Sequence, residues 1–204
     1  MTLSNPTDPK LIVFDLETTG FAKQIGACAQ IFHFCAHVYQ NNQLVDQQNI
    51  YLKVDFIPID IQILTQTTLA HVYQVGLNYY QGLKQIHDWI ETTFKGATVV
   101  GYNSDTFDLP MLFANLKTHG FLDQFASWKD YFSHLNATSL DLLPVCRKVF
   151  QGLPKHKLEI VAKHCQLDTS NHHRADGDVI LTKAIYDKIY QSSQSMTKSI
   201  STHK

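Results

Sequence analysis

Leu11-Ile12-Val13-Phe14-Asp15-Leu16-Glu17-Thr18-Thr19-Gly20 is the stretch on which the fold turns. Four apolar residues followed by two acids with one residue between them describe a buried strand whose end carries charge. Side chains two apart on a strand share a face, so Asp15 and Glu17 point the same way. Two carboxylates held that close repel, and one must keep its proton unless a cation sits between them. A hard divalent metal takes oxygen ligands and leaves positions for water and phosphate, which makes this strand end a candidate metal site. Thr18, Thr19 and Gly20 then interrupt the strand, offering hydroxyls and a permissive backbone to a ligand. An isolated pair of acids with this spacing is more often a solvated strand end, so the rest of the chain must decide.

With 204 residues and 44% hydrophobic content the chain can bury one substantial core, and its length favours a single domain. A net charge of -1 gives no broad basic field, so a polyanionic partner must be gripped locally or through cations, which argues against a high-affinity duplex coater. Arg147 and Arg174 are the only arginines, which limits bidentate phosphate forks. Cys28, Cys35, Cys146 and Cys165 form no C-x-x-C pair and read as reduced thiols of a cytoplasmic protein, with zinc coordination disfavoured. Residues 1–10 are polar and lack the apolar run of a signal peptide. No stretch reaches the roughly 18 to 20 apolar residues of a membrane span, so no membrane association is expected.

Working outward, residues 31–39 alternate in part, Asn41-Asn42-Gln43 makes a turn, and residues 44–54 resume an extended pattern. With the first strand this predicts a three-stranded antiparallel meander. Residues 58–73 read as short helical turns and loop. Leu83, Ile86, His87, Ile90 and Phe94 at helical spacing predict a helix over 79–94, closed by Gly96, with a short buried strand over 97–100. A helix over 106–119 follows, with Pro110 tolerable only in its first turn. Residues 121–136 are aromatic and irregular, and 137–140 read as a last short strand. Asp141 caps a helix through Val149, 154–166 holds a second, and 176–190 a third. The Ser-, Thr-, Lys- and Gln-rich tail 191–204 is expected to be disordered.

Two further acidic segments keep the first one company. In Gly101-Tyr102-Asn103-Ser104-Asp105-Thr106-Phe107-Asp108-Leu109-Pro110 a buried strand ends, an Asn-containing loop follows, and Asp108 sits at a helix start. His172-His173-Arg174-Ala175-Asp176-Gly177-Asp178 leads into the last helix. Taken together, the three segments resemble the three motifs of the DnaQ-like, or DEDDh, family of 3′-to-5′ exonucleases. Phe14 through Gly20 matches the first motif and Asn103 through Asp108 the second, with Phe107 beside the acid. The third motif, a His, four residues and an Asp, selects His173 and Asp178. The second motif carries one more residue between its Asn and Asp than the short family form, and Asp105, His172 and Asp176 fall outside the motif spacing, Asp176 reading as a helix cap or surface acid.

The resemblance covers roughly residues 10–190, taken as one exonuclease domain, and implies an RNase H-like α/β fold: a mixed five-stranded sheet flanked by helices. It implies that Asp15, Glu17, Asp108 and Asp178 converge on two divalent ions, Mg²⁺ or Mn²⁺, with Asp15 bridging both. His173 is then the general base, while Thr18, Asn103 and Phe107 shape the pocket for the terminal nucleotide, and Phe21 is a candidate base-stacking residue. The expected function is release of nucleoside monophosphates from single-stranded DNA 3′ ends, in proofreading or repair. Two competing readings are an exoribonuclease acting on RNA or short oligoribonucleotides, and an accessory subunit whose main task is to bind a polymerase.

Overall fold

The computed structural model describes residues 10–20 and 29–201. Five strands form one mixed sheet, β1 (Leu11–Thr18), β2 (Ile31–Gln40), β3 (Gln43–Tyr51), β4 (Thr98–Gly101) and β5 (Thr138–Asp141), in the order β3-β2-β1-β4-β5. The meander forms as expected: β1 pairs antiparallel with β2, and β2 with β3. Asn41 and Asn42 join the latter two with φ of 51° and 61°, the left-handed pair that a two-residue hairpin of matching twist requires and that Asn tolerates. β4 and β5 then add in parallel on the other side of β1. The strand carrying Asp15 and Glu17 is therefore central, and because its pairing with β4 stops at Val13, the part that bears the two acids is paired with β2 alone.

Alternation along β1 separates two layers. Ile12, Phe14 and Leu16 enter a core built with α3 (Tyr79–Thr93), α4 (Asp108–Thr118) and α5 (Trp128–His134), including Leu83, Ile86, Ile90, Phe94, Leu112 and Phe132. Each such side chain removed from water contributes roughly 1.5–3 kcal/mol. Val13 faces the other way, into a core shared with α6 (Leu142–Val149), α7 (Leu158–His164) and α8 (Ala175–Ser201) through Cys146, Val161, Val179 and Ile185. Asp15 and Glu17 share the Val13 face by strand periodicity, which aims them toward the layer that holds α8. The short α1 (Ile59–Thr65) and α2 (Leu69–Val75) flank β3 and a third, smaller apolar cluster around Phe32, Val54, Ile57 and Val72. This is the mixed five-stranded sheet flanked by helices of the RNase H-like fold.

Several boundaries differ from the sequence reading. α5 lies inside the segment expected to be irregular: Ser127 Oγ caps it by accepting from Asp130 N at 3.2 Å, and Trp128, Tyr131 and Phe132 anchor it at helical spacing. α7 starts only at Leu158, because residues before it are held as a loop by Tyr102 Oη donating to the His156 carbonyl at 2.7 Å and by His156 Nε2 against the Phe150 carbonyl at 3.0 Å. α8 continues past Tyr190 to Ser201, where disorder was expected; that run holds neither Gly nor Pro, so nothing in it stops helix propagation. Pro110 does fall in the first turn of α4, and Gly96 follows α3 with φ of +66°. Cys28 and Phe21 lie outside the described residues, while Cys35, Cys146 and Cys165 are free thiols. Among the described residues no helix is long and apolar enough to cross a membrane.

Candidate active site

Three elements bring the acids together. The end of β1 supplies Asp15 and Glu17, the first turn of α4 supplies Asp108, and the first turn of α8 supplies Asp178. Asp15, Glu17 and Asp178 each offer a carboxylate oxygen, and these three atoms lie within 4.8 Å of one another. Asp108 closes the group from the side, its Oδ1 accepting the Leu16 backbone N–H at 3.3 Å between the two acids of the strand. Residues far apart in the chain thus meet at one strand end.

Burial sets the electrostatics. Desolvation, then the charges of Asp108, Glu17 and Asp178, push the Asp15 carboxyl well above the usual range. Desolvation followed by Asp178, Asp108 and Asp176 does the same to Glu17. Asp108 is 3% exposed, and burial raises it to about 7 against the opposing hydrogen bond from Leu16 N. Acids arranged this way are costly without a counter-charge, and a hard dication bound between them removes both the repulsion and the desolvation penalty. An all-oxygen donor set at these separations fits the coordination habits of Mg²⁺ or Mn²⁺ rather than those of a thiol-seeking metal. The residues present therefore fit a divalent metal centre.

Both histidines of the pair approach Asp178, through different groups. His172, not His173, makes the ring contact to Asp178: its Nδ1–H donates to Oδ1 at 2.6 Å, with both side chains only 11% exposed. His173 donates its backbone N–H to the same oxygen at 3.3 Å, adopts a left-handed φ of 69°, and tilts its ring against that of His172 with centroids 3.8 Å apart. Burial first, and His172 second, lower the His173 pKa below the ordinary imidazole value. Gly177 explains how this loop packs so close to α8, since a Cβ there would lie 2.0 Å from the Asn171 carbonyl oxygen. Asp176 is occupied elsewhere, accepting from Arg174 Nε at 3.2 Å and Nη2 at 3.1 Å, so the motif spacing and the geometry agree that it is not part of the acid cluster.

Thr18, Phe107 and Asn103 fall around the acids. Thr18 and Phe107 line a cleft of about 750 Å³ together with Glu17, Ile61 and Leu64, closed by α1 on its far side. Asn103 is exposed, with φ of 65°, and its amide oxygen accepts from Thr106 Oγ1 at 2.7 Å. What the sequence reading took only as a helix cap also organises this loop: the Asp141 carboxylate accepts from Asn103 N at 2.8 Å and Asp105 N at 3.3 Å as well as from Leu143 N at 2.9 Å. The roles of Asp141 and His172 have no signature in linear spacing, because each acts through a loop that only the fold brings near.

Comparison with known proteins agrees with this architecture. A family model described as exonuclease matches residues 12–186. The PolC-type DNA polymerase III of Clostridium perfringens is 29% identical over 182 residues, covering 87% of this chain and 11% of the polymerase. The PolC-type polymerase of Mycoplasma genitalium is 32% identical over 114 residues, or 53% of this chain and 7% of its own length. The 3′-5′ exonuclease DinG of Bacillus subtilis is 26% identical over 183 residues, 89% of this chain and 18% of that protein. The chain thus spans only about a tenth of the length of the polymerases it matches. Among solved structures, E. coli exonuclease I in complex with a dT13 oligonucleotide superposes with a TM-score of 0.77 at 20% identity, covering 96% of this chain and 44% of that one. A product-bound structure of exonuclease I gives 0.75 at 19% identity, covering 97% and 47%. These likenesses carry the fold, and the family match, running from β1 into α8 and enclosing every acid of the cluster, makes this chain a member of the DnaQ-like exonuclease family.

Proposed function

We propose that the protein is a metal-dependent 3′-to-5′ exonuclease that removes nucleoside monophosphates from single-stranded DNA, with residues 1–190 working as one exonuclease domain. The observation that carries this reading is the meeting of Asp15, Glu17 and Asp178 within 4.8 Å, with Asp108 against the same strand end. Two Mg²⁺ or Mn²⁺ ions held by these four acids would supply charge neutralisation at the phosphate and would lower the pKa of a water so that it gives up a proton and becomes the nucleophile.

The chain's own groups account for the remaining requirements. His173 accepts the proton of the attacking water, a task suited to an imidazole kept neutral near working pH by partial burial. The water oxygen forms the new bond to phosphorus, the bond from phosphorus to the 3′ oxygen of the preceding nucleotide breaks, and that oxygen leaves to be protonated by solvent. His172 holds Asp178 by its Nδ1–H and so fixes the carboxylate's orientation. Thr18 and the backbone after it, with Phe107 across the cleft, seat the terminal nucleoside; an aromatic face suits any base, in keeping with sequence-independent digestion. Support for DNA as substrate comes from the oligonucleotide complex of exonuclease I and from polymerase relatives, which also suggest a proofreading setting and a polymerase as partner.

Labelled single-stranded DNA and RNA of one sequence, incubated with Mg²⁺ or Mn²⁺ and with chelator, test the proposal. Stepwise shortening of DNA from the 3′ end, abolished by chelator, is expected. Cuts at internal positions, or turnover undiminished by chelation, would refute it, and faster loss of RNA would move the substrate to oligoribonucleotides.

A further inference from the structure

Two clefts flank the acid cluster, and they differ in chemistry. The one beside Thr18 and Phe107 has apolar walls at Pro58, Ile61, Leu64 and Phe107 and is the nucleoside cleft of the exonuclease reading proposed above. The other, about 690 Å³, begins at Asn103 and His173 and runs outward past Arg147, Lys155 and Lys157. None of the residues lining it is acidic, although the chain has 18 acids against 17 basic residues. The chain's other arginine, Arg174, is already forked onto Asp176, whereas among the described residues Arg147, Lys155 and Lys157 take part in no ion pair.

The basic groove is braced. Tyr102, next to Asn103, donates to the His156 carbonyl at 2.7 Å, and His156 Nε2 meets the Phe150 carbonyl at 3.0 Å, so the loop bearing Lys155 and Lys157 is tied to the end of α6 and to the loop that precedes Asp108. Asp141 in turn holds that loop by its backbone N–H groups. Positive charge is thereby concentrated at one edge of the site in a molecule with no overall basic field, which is the local grip a polyanion needs here.

We propose that this groove binds the phosphodiester backbone on the 5′ side of the scissile linkage, with Arg147 and Lys157 each facing a phosphate; the inference rests on the exonuclease reading for the position of the scissile bond. Strand polarity follows from the same arrangement: the terminal nucleoside lies at Phe107 and the remaining strand leaves over Asn103 toward α6. Because the groove grips phosphate, it carries no base preference.

Equilibrium binding of fluorescein-labelled dT12, followed by anisotropy with Ca²⁺ present, tests the groove apart from turnover. Both Arg147 and Lys157 are exposed, so R147E/K157E is expected to fold, and thermal melting checks it. K84E/K95E, on and just beyond α3, makes the same change in net charge away from the groove. R147E/K157E should weaken binding tenfold or more and flatten the salt dependence by about 1.4 in log-log slope, about 0.7 for each phosphate no longer neutralised. K84E/K95E should change affinity less than threefold. Equal weakening in the two doubles, undiminished affinity in R147E/K157E, or no binding of dT12 by the unmodified chain would each overturn the groove. Binding that follows the expected pattern without any hydrolysis in Mn²⁺ would instead leave the groove standing and remove the exonuclease reading.

Discussion

Replacing Asp108 by Asn should make the metal-free protein more stable at mildly alkaline pH while removing its activity. Asp108 is buried, and desolvation moves its carboxyl from an ordinary 3.8 to about 7 in the folded state. Because the folded value lies above the unfolded one, the associated stability is intact below the unfolded pKa and is lost as the pH climbs through about 7. Between those limits each pH unit is worth roughly 1.4 kcal/mol, so by pH 8 the ionised group costs about 4 kcal/mol. Asn keeps the shape and an oxygen to accept the Leu16 N–H, but its amide needs a partner that the acid cluster supplies only in part. Setting roughly 1–2 kcal/mol against that leaves a net gain of about 2–3 kcal/mol. For a domain of this size that corresponds to a rise in Tm of roughly 4–12 °C. Circular-dichroism melts in chelator at pH 8 and pH 4 measure it: at pH 4 the folded carboxyl is protonated, the gain is gone and the amide cost remains, so D108N should there be the less stable by about 1 kcal/mol. Saturating Mn²⁺ should narrow or reverse the order at pH 8, since only the intact acid set gains the full binding free energy. If D108N melts at or below the parent at pH 8 in chelator, burial does not strain the ionised Asp108 carboxyl, and the argument that the site needs a cation to hold that acid fails.

Other outcomes follow from the same geometry. His173→Ala should lower kcat by roughly 10²–10⁴, the usual contribution of a general base, with the melting curve unchanged; full turnover would transfer that role to His172 or to solvent. His172→Ala should act mainly on metal affinity, weakening it roughly 10–100-fold because the carboxylate of Asp178 loses its orienting donor, and a metal titration distinguishes this from a defect in chemistry. Phe107→Ala should raise KM for oligonucleotides by about 5- to 100-fold, the range expected when a base-aromatic stack is removed, with kcat less affected. A phosphate on the substrate's 3′ hydroxyl should slow degradation, and unchanged rates on the blocked strand would speak for internal cleavage.

The sequence showed the scaffold of the site more clearly than its finish. Asp15 and Glu17 were legible because strand periodicity alone puts them on one face, and the apolar run before them marks the strand as buried. Asp108 and Asp178 were legible as acids at helix starts; what made them partners of the strand was the family's order of motifs, not any local signal. α5 escaped because seven residues span only two turns, although Trp128, Tyr131 and Phe132 already carried the helical spacing. The extent of α7 was overestimated because its pattern is read from composition, while its start is decided by a hydrogen bond from Tyr102, a residue distant in the chain.

The histidine pair shows where linear reading stops. A His followed by four residues and an Asp selects His173, and the structure gives that residue the left-handed backbone, yet gives the ring hydrogen bond with Asp178 to His172. The two assignments are compatible if the neighbours divide the work, one orienting the carboxylate and the other remaining available to take a proton. Gly177 makes the division possible, since any side chain there would push the Asn171 carbonyl away and carry both imidazoles off the helix start. Gly177→Ala should therefore resemble loss of both histidines at once: reduced metal affinity together with reduced turnover. If that variant matches His173→Ala alone in metal titration, the loop is not held by the close approach at Gly177, and His172 reaches Asp178 by some other restraint.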